Sequence, residues 1–328
     1  MELKKLFEYF IKNNTQLKTN TIKHLRTTQK ILDDYDQGVT VYDITPQYLQ
    51  KFESVKINSG TCNLQGLGSY LRDLRRIINY FNKEIKIIPA HYVYPFGKGG
   101  YQIKEMRDKK MVLFEHEIRS VMELDEFDSE FQQYARDIWM TLYYANGVNF
   151  VDLLRMKWQN IGEGRITIIR KKTETTQKKL VQVITIPLIE PLKELINKIG
   201  DPTSPFVFGL MNKEVYKDTT ITNRKNKLRD QINPELRKIS EKLNLRVPLT
   251  MKTARDCYAS TLKRNGSNRD EIAEQLGHSD IVSSGYYVDS LGIDDSVRMN
   301  EKLVQRRIKT PVEILPNSLP ENMTNNDI

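Results

Sequence analysis

Cysteine, histidine and tryptophan are scarce in these 328 residues, with two, four and two copies respectively. Cys62 and Cys257 give no disulfide framework and no metal-ligand spacing, and they suit a reducing compartment. Four histidines argue against a zinc centre, so the expected cofactor is none. Long hydrophobic runs are missing too: nothing approaches the ~20 apolar residues of a membrane span, and no membrane partner is expected. The N-terminus, MELKKLFEYFIKNN, reads as an amphipathic helix interrupted by charge, with none of the features of a secretory signal. The expected location is the cytoplasm. No internal repeat is apparent. What the chain does have is a basic balance, Lys+Arg 51 against Asp+Glu 42, for a net charge of +9 and a pI of about 9.2. That is a modest attraction to polyanions and, with 39% hydrophobic residues, fits a globular protein of two ordinary domains that binds nucleic acid.

Periodicity predicts a mainly α protein with a small antiparallel β-sheet. Residues 2 to about 90 read as four or five helices. Leu3, Leu6, Phe7, Phe10 and Ile11 recur at helical spacing, and Ile22, Leu25, Thr28 and Leu32 share a face of a helix from Thr21 to Tyr35. Asp43-Ile44-Thr45-Pro46 caps a third helix, and Cys62 to Phe81 makes a fourth. Lys23, Arg26 and Lys30 lie along the second, and Arg72, Arg75 and Arg76 along the fourth. Each is a candidate DNA contact whose bland alternative is a solvated charge. An aperiodic stretch from Ile88 to Gly100 and a densely charged run from Lys104 to Lys110 read as a linker. Helices over Glu115–Leu124 and Phe131–Tyr144 then open a second domain. Thr219 to Arg237 reads as a basic helix pair, in which Arg224 and Lys225, with Lys227 and Arg229, suit phosphate contacts. Asp294 to Arg307 reads as a further helix. The end, Thr310 to Ile328, is polar and proline-containing and is expected to be disordered. The expected boundaries are 1–90, a linker 91–111, a second domain 112–308 and a tail 309–328.

The chemistry concentrates between Thr250 and Tyr287. A helix carrying Lys252 and Arg255 is expected to turn at Asn265-Gly266, and a second short helix to run to Gln275 and break at Gly277. His278 then follows a helix C-terminus, and Tyr287 lies nine positions beyond it. A tyrosine hydroxyl can attack phosphorus and keep the bond as an ester, but with a free pKa of ~10 it needs neighbours to help. Arginine offers a planar fork to non-bridging oxygens, imidazole can donate to them or move a proton, and lysine can protonate a leaving oxygen. Upstream, Gly164 to Thr173 and Val181 to Pro187 read as a hairpin of alternating branched residues around a polar tip.

Ala254-Arg255-Asp256, Leu276-Gly277-His278-Ser279 and Tyr287 together resemble the second half of the tyrosine recombinase (phage integrase) signature. In that family the pattern runs H-x-x-R, then L-G-H, then a tyrosine nine residues later. Lys252 stands at the first histidine's place, a common variant. The resemblance implies a SAM-like core-binding domain at the N-terminus, closing as a clamp on double-stranded DNA, followed by a catalytic tyrosine recombinase domain. It implies cleavage and rejoining through a 3′-phosphotyrosyl bond without ATP or metal. Tyr287 would be the nucleophile, with Arg255, His278 and Lys252 holding the phosphate. It also implies a catalytic lysine on the hairpin in a K-T context, which points to Lys172, with Lys171 the rival because sequence fixes no strand register. Tyr286 is the alternative nucleophile.

One box departs from the family pattern. Gly147-Val148-Asn149-Phe150-Val151-Asp152-Leu153 matches a helix start in which the family carries its first arginine, and Asn149 takes that place. Asparagine can donate to a phosphate oxygen but brings no charge; Arg136 and Arg155 are the nearest candidates to supply it. Integrases of Bacteroidetes mobile elements that lack this arginine are similar in the same respect. The expected partners are duplex DNA, further copies of the chain as a tetramer on paired sites, and accessory DNA-bending or excision proteins, with the protein at the nucleoid. A type IB topoisomerase-like relaxing activity and a catalytically weakened DNA-binding regulator are the alternatives.

Overall fold

Leucine, isoleucine and phenylalanine at three- and four-residue spacing build the helices observed in the computed structural model, which describes residues 1–89, 91–104, 111–171, 183–211 and 217–277. The chain divides into two compact units, one holding 1–108 and 213–230 and the other 109–212 and 231–328.

In the first unit, α1 (Leu3–Asn13), α2 (Thr19–Tyr35), α3 (Pro46–Asn58) and α4 (Leu64–Asn79) follow the expected order, and one π turn, Tyr80–Glu84, extends α4. Proline at the first position of α3 has no N–H to leave unsatisfied, and Thr45 caps that helix, accepting from Tyr48 N–H at 3.1 Å. Leu3, Leu6, Phe7, Phe10, Leu25, Phe52, Leu71, Leu74 and Ile77 close a core against which α2 and α4 pack. Their seam is also polar: His24 Nδ1 lies 2.5 Å from Asp73 Oδ2, His24 Nε2 3.1 Å from Ser69 Oγ, and Thr28 Oγ donates to Asp73 at 2.8 Å.

The second unit is built on α5 (Glu115–Glu123), α6 (Glu130–Tyr144) and α7 (Phe150–Leu154). Strands β1 (Ile161–Gly162), β2 (Arg165–Ile169) and β3 (Val183–Pro187) follow, then α8 (Glu190–Ile199), α10 (Met251–Arg264) and α11 (Arg269–Gln275). The sheet is antiparallel in the order β1-β2-β3, with Ile166 opposite Ile186 and Ile168 opposite Ile184. Those four isoleucines are buried while Thr167, Ile169, Val183 and Thr185 face outward, the period-2 pattern of a half-covered sheet. Trp139 is fully buried and anchors α6 to α10, its indole N–H donating to Thr253 Oγ at 3.2 Å.

The basic stretch expected as a helix pair is instead one helix, α9 (Asp218–Lys242), containing Pro234. A proline inside a helix removes one donor, yet the helix continues. Ile232, Leu236 and Ile239, fully buried around it, supply the packing that outweighs the lost bond. No helix among the described residues is long and apolar enough to cross a membrane.

Candidate active site

The signature helix α10 starts at a reciprocal cap: Thr250 Oγ accepts from Thr253 N–H at 3.3 Å, and Thr253 Oγ accepts from Thr250 N–H at 3.0 Å. Met251 N–H is held by Asn233 Oδ1 at 3.0 Å. This fixes the first turn and, one turn further on, Arg255. Lys252 is exposed, whereas Arg255 is buried. The Arg255 guanidinium donates through Nη1 to the Gly147 carbonyl and through Nη2 to the Leu276 carbonyl, both at 2.7 Å. One side chain thus ties together two boxes that lie more than a hundred residues apart in sequence.

Asn146 reinforces the junction. With φ of 56° it precedes Gly147, at 60°, so two consecutive residues adopt the left-handed turn that asparagine and glycine tolerate best. Its amide donates to Gln275 Oε1 at 2.7 Å, linking the turn before α7 to the end of α11. Beyond Gln275 the chain passes through Leu276 to Gly277, whose φ is 61°. A Cβ at Gly277 would lie 2.4 Å from Ile184 Cδ1 on β3, so only glycine fits without repacking.

At the N-terminus of α7, Asn149 sits in the N-cap position but makes no cap bond; its amide reaches Asp152 Oδ2 at 3.4 Å. Asp152 is buried, and burial pushes its carboxyl above the usual range, partly offset by the Lys171 backbone N–H that donates to Oδ1 at 2.7 Å and by the neighbouring Arg170 charge. Lys171 therefore stands at the root of the hairpin, fastened through its backbone to α7. Arg170, just before it, continues the buried side of the strand's alternation, and its Nη1 donates to the Gly277 carbonyl.

The two candidates for the missing positive charge differ in setting. Arg136 is taken up at the α5–α6 corner: its Nε lies 3.0 Å from Asp137, Nη1 donates to the Met122 carbonyl at 3.1 Å, and the guanidinium stacks 5.1 Å from the Phe127 ring centre. Asp137, almost fully buried, also meets Lys198 at 2.8 Å. Those partners engage the Arg136 guanidinium within the fold. Arg155 ends α7 and, with Asp152, Lys157 and Asn160, lines a groove beside Thr167 and Ile169 on the outer face of β2.

In the first unit Lys23, Arg26 and Lys30 are exposed along α2, and Arg72, Arg75 and Arg76 along α4, Arg76 lying over the Phe10 ring at 5.1 Å. On α9, Arg224 and Lys225 are half-buried. Lys172, His278, Tyr286 and Tyr287 lie outside the described residues, as does the helix expected over Asp294–Arg307. Arg170 and Asn146 were not singled out by sequence. A signal existed for both: a charged residue on the buried parity of a strand, and an Asn-Gly pair before a helix start.

Residues 111–292 match the phage integrase family and residues 2–98 the phage integrase SAM-like domain. Tyrosine recombinase XerD of Rickettsia bellii (strain RML369-C) is 20% identical over 266 residues, covering 73% of this chain and 82% of that protein. Among solved structures, the Tn1549 transposon integrase in complex with a circular intermediate DNA is similar with a TM-score of 0.67 at 15% identity, over 92% of this chain and 99% of that one. A lambda integrase dimer bound to a COC′ core site gives 0.62 at 16% identity, over 89% and 97%. At such identities the structures establish a shared fold, while the family match spans more than half of the chain. The chain belongs to the phage integrase family and is a tyrosine site-specific recombinase.

Proposed function

We propose that the chain cleaves and rejoins duplex DNA with Tyr287 as nucleophile. The tyrosine hydroxyl gives up its proton to water or a neighbouring base as its oxygen attacks a backbone phosphorus, the bond to the 5′ oxygen breaks, and Lys172 supplies the proton that leaves with the 5′ hydroxyl. Arg255, His278 and Lys252 hold the non-bridging oxygens as negative charge builds on them. A 5′ hydroxyl from the partner strand then attacks the phosphotyrosine, restoring a diester and freeing the tyrosine. The ester keeps the bond energy, so neither ATP nor a metal is required.

The observation that carries this reading is the Arg255 guanidinium holding both the Gly147 and the Leu276 carbonyls at 2.7 Å. The Gly147 box, the signature helix and the residues just before His278 meet at one point, as a shared phosphate site requires. Solved relatives support the partner. The Tn1549 integrase structure contains DNA, and a lambda integrase tetramer bound to a Holliday junction has a TM-score of 0.57 to this chain. On that basis the chain acts as a tetramer on paired sites at the nucleoid, with Lys23, Arg26, Lys30, Arg72, Arg75, Arg76, Arg224 and Lys225 contacting the duplex backbone. Accessory DNA-bending or excision proteins would direct the outcome of that assembly.

The deciding experiment traps adducts on nicked suicide duplexes. Tyr287→Phe should abolish the covalent product and leave duplex affinity within a few fold, because phosphate contacts dominate that affinity. An adduct that survives Tyr287→Phe and disappears in Tyr286→Phe would move the nucleophile by one residue.

A further inference from the structure

We propose that Arg170 is a positioning residue of the recombinase reaction, holding the turn that leads into His278 and the root of the β2–β3 hairpin in a single fixed relationship. The proposal rests on the reading of His278 and Lys172 given above and extends it to a residue that would act through them.

A buried guanidinium is costly to desolvate and is retained in a fold where its donors meet fixed acceptors. Arg170 is only 7% exposed. Its Nη1 donates to the Gly277 carbonyl, and its Cδ lies 3.1 Å from the point where a Gly277 Cβ would sit, so the side chain covers the turn itself. Arg255 holds the preceding carbonyl, that of Leu276, at 2.7 Å. Two consecutive carbonyls ahead of His278 are therefore fixed by two arginines from different elements, α10 and the end of β2. The second of these reaches the hairpin. Lys171, adjacent to Arg170, donates its backbone N–H to Asp152 at 2.7 Å, and the Arg170 charge acts on the same carboxyl. The backbone that leads to Lys172 and the backbone that leads to His278 thus depart from a pair of neighbouring buried residues, Arg170 and Asp152.

Two groups that act on the same phosphate, one on the leaving oxygen and one on a non-bridging oxygen, must be set relative to each other. A displacement of about 1 Å can cost on the order of 10²-fold in rate. A methionine or leucine would fill the same volume but could not hold the carbonyl. A charged N–H donor is needed for the bond.

The test measures single-turnover cleavage by Arg170→Ala and Arg170→Lys of a normal duplex and of one with a bridging 5′-phosphorothiolate, whose sulfur leaves without a proton. Thermal melting and duplex affinity are read alongside. The expected result is roughly 10²-fold slower cleavage of the normal diester by Arg170→Ala. The loss on the phosphorothiolate should be much smaller, affinity should stay close to wild type, and melting should be lowered but remain cooperative, with the protein folded at the assay temperature. Arg170→Lys, which keeps the charge and a donor, should recover part of the rate. Wild-type rates in both variants, equal slowing on both substrates, or a loss matched by the unfolded fraction would overturn the proposal. If neither variant keeps a cooperative melting transition, Arg170 is a stabilising residue and the proposal fails. Wild-type protein and Tyr287→Phe serve as controls. Absence of a Tyr287-dependent adduct defeats the underlying reading, whereas normal adducts with unaffected Arg170 variants defeat the positioning role alone.

Discussion

Arg255 donates to the Gly147 carbonyl at 2.7 Å while its own Cα lies 3.0 Å from the place a Cβ on residue 147 would occupy. The close approach and the left-handed φ of 60° both favour glycine. Gly147→Ala is expected to lower stability by ~1–3 kcal/mol, the cost of a strained backbone site. It should also slow cleavage, because any relief of the clash moves Arg255. Urea denaturation together with single-turnover cleavage checks this; an unchanged midpoint and rate would show that the turn has room.

The hairpin lysine can be assigned by leaving group. Strand alternation runs through Arg170 on the buried side, which leaves Lys171 on the parity of Thr167 and Ile169. If Lys172 is the general acid, Lys172→Ala should slow a normal phosphodiester far more than a 5′-phosphorothiolate, and Lys171→Ala should affect the two alike. The reverse pattern would give the role to Lys171.

The absent first arginine leads to a contrast between two alanine variants. Arg136→Ala removes a partner from buried Asp137 and is expected to cost ~1–3 kcal/mol in stability, with a normal cleavage rate for the protein that remains folded. Arg155→Ala should fold normally and cleave more slowly, since Arg155 lines the groove beside Asp152. Asn149→Arg should raise the rate if nothing substitutes for the missing charge, a deficit of ~2 to 4 kcal/mol by comparison with single oxyanion donors. Normal cleavage by Arg155→Ala combined with no gain from Asn149→Arg would mean that this position need not carry charge.

Acid sensitivity of the first unit should trace to Glu53. Burial raises its carboxyl pKa, but hydrogen bonds from Lys104, at 2.6 Å, and from the Tyr101 hydroxyl outweigh burial and leave it lowered. A carboxyl depressed in the folded state contributes stability that is fully present above its unfolded pKa of ~4.3 and is lost as pH falls through the folded value. Glu53→Gln should therefore lower the melting temperature at pH 7 and show a smaller further drop between neutral pH and acid. Parallel curves for variant and wild type would assign the acid response elsewhere.

Much of this architecture was legible because it is written in local rules. The apolar spacing of Leu3, Leu6, Phe7 and Phe10 sets a buried helix face, Thr45-Pro46 starts a helix, and the alternation from Ile166 to Ile186 makes a hairpin. The order of Lys252, Arg255 and Gly277 around a turn at Asn265-Gly266 also follows from short-range preference. The break expected in the basic stretch 219–237 is absent because Ile232, Leu236 and Ile239, fully buried on either side of Pro234, hold α9 together by packing that local propensity does not register.

By itself the sequence determined which residue types were available for phosphoryl transfer, and on which elements, since capping, periodicity and turn chemistry act over a few residues. Tertiary structure alone decided which of them meet. Arg255 reaches Gly147 and Leu276, Arg170 reaches Gly277, and Arg136 is drawn to Asp137, Met122 and Phe127. A guanidinium has five donors and a long, flexible stem, so its partners are chosen by the elements that packing brings within reach, and spacing along the chain carries no record of that choice.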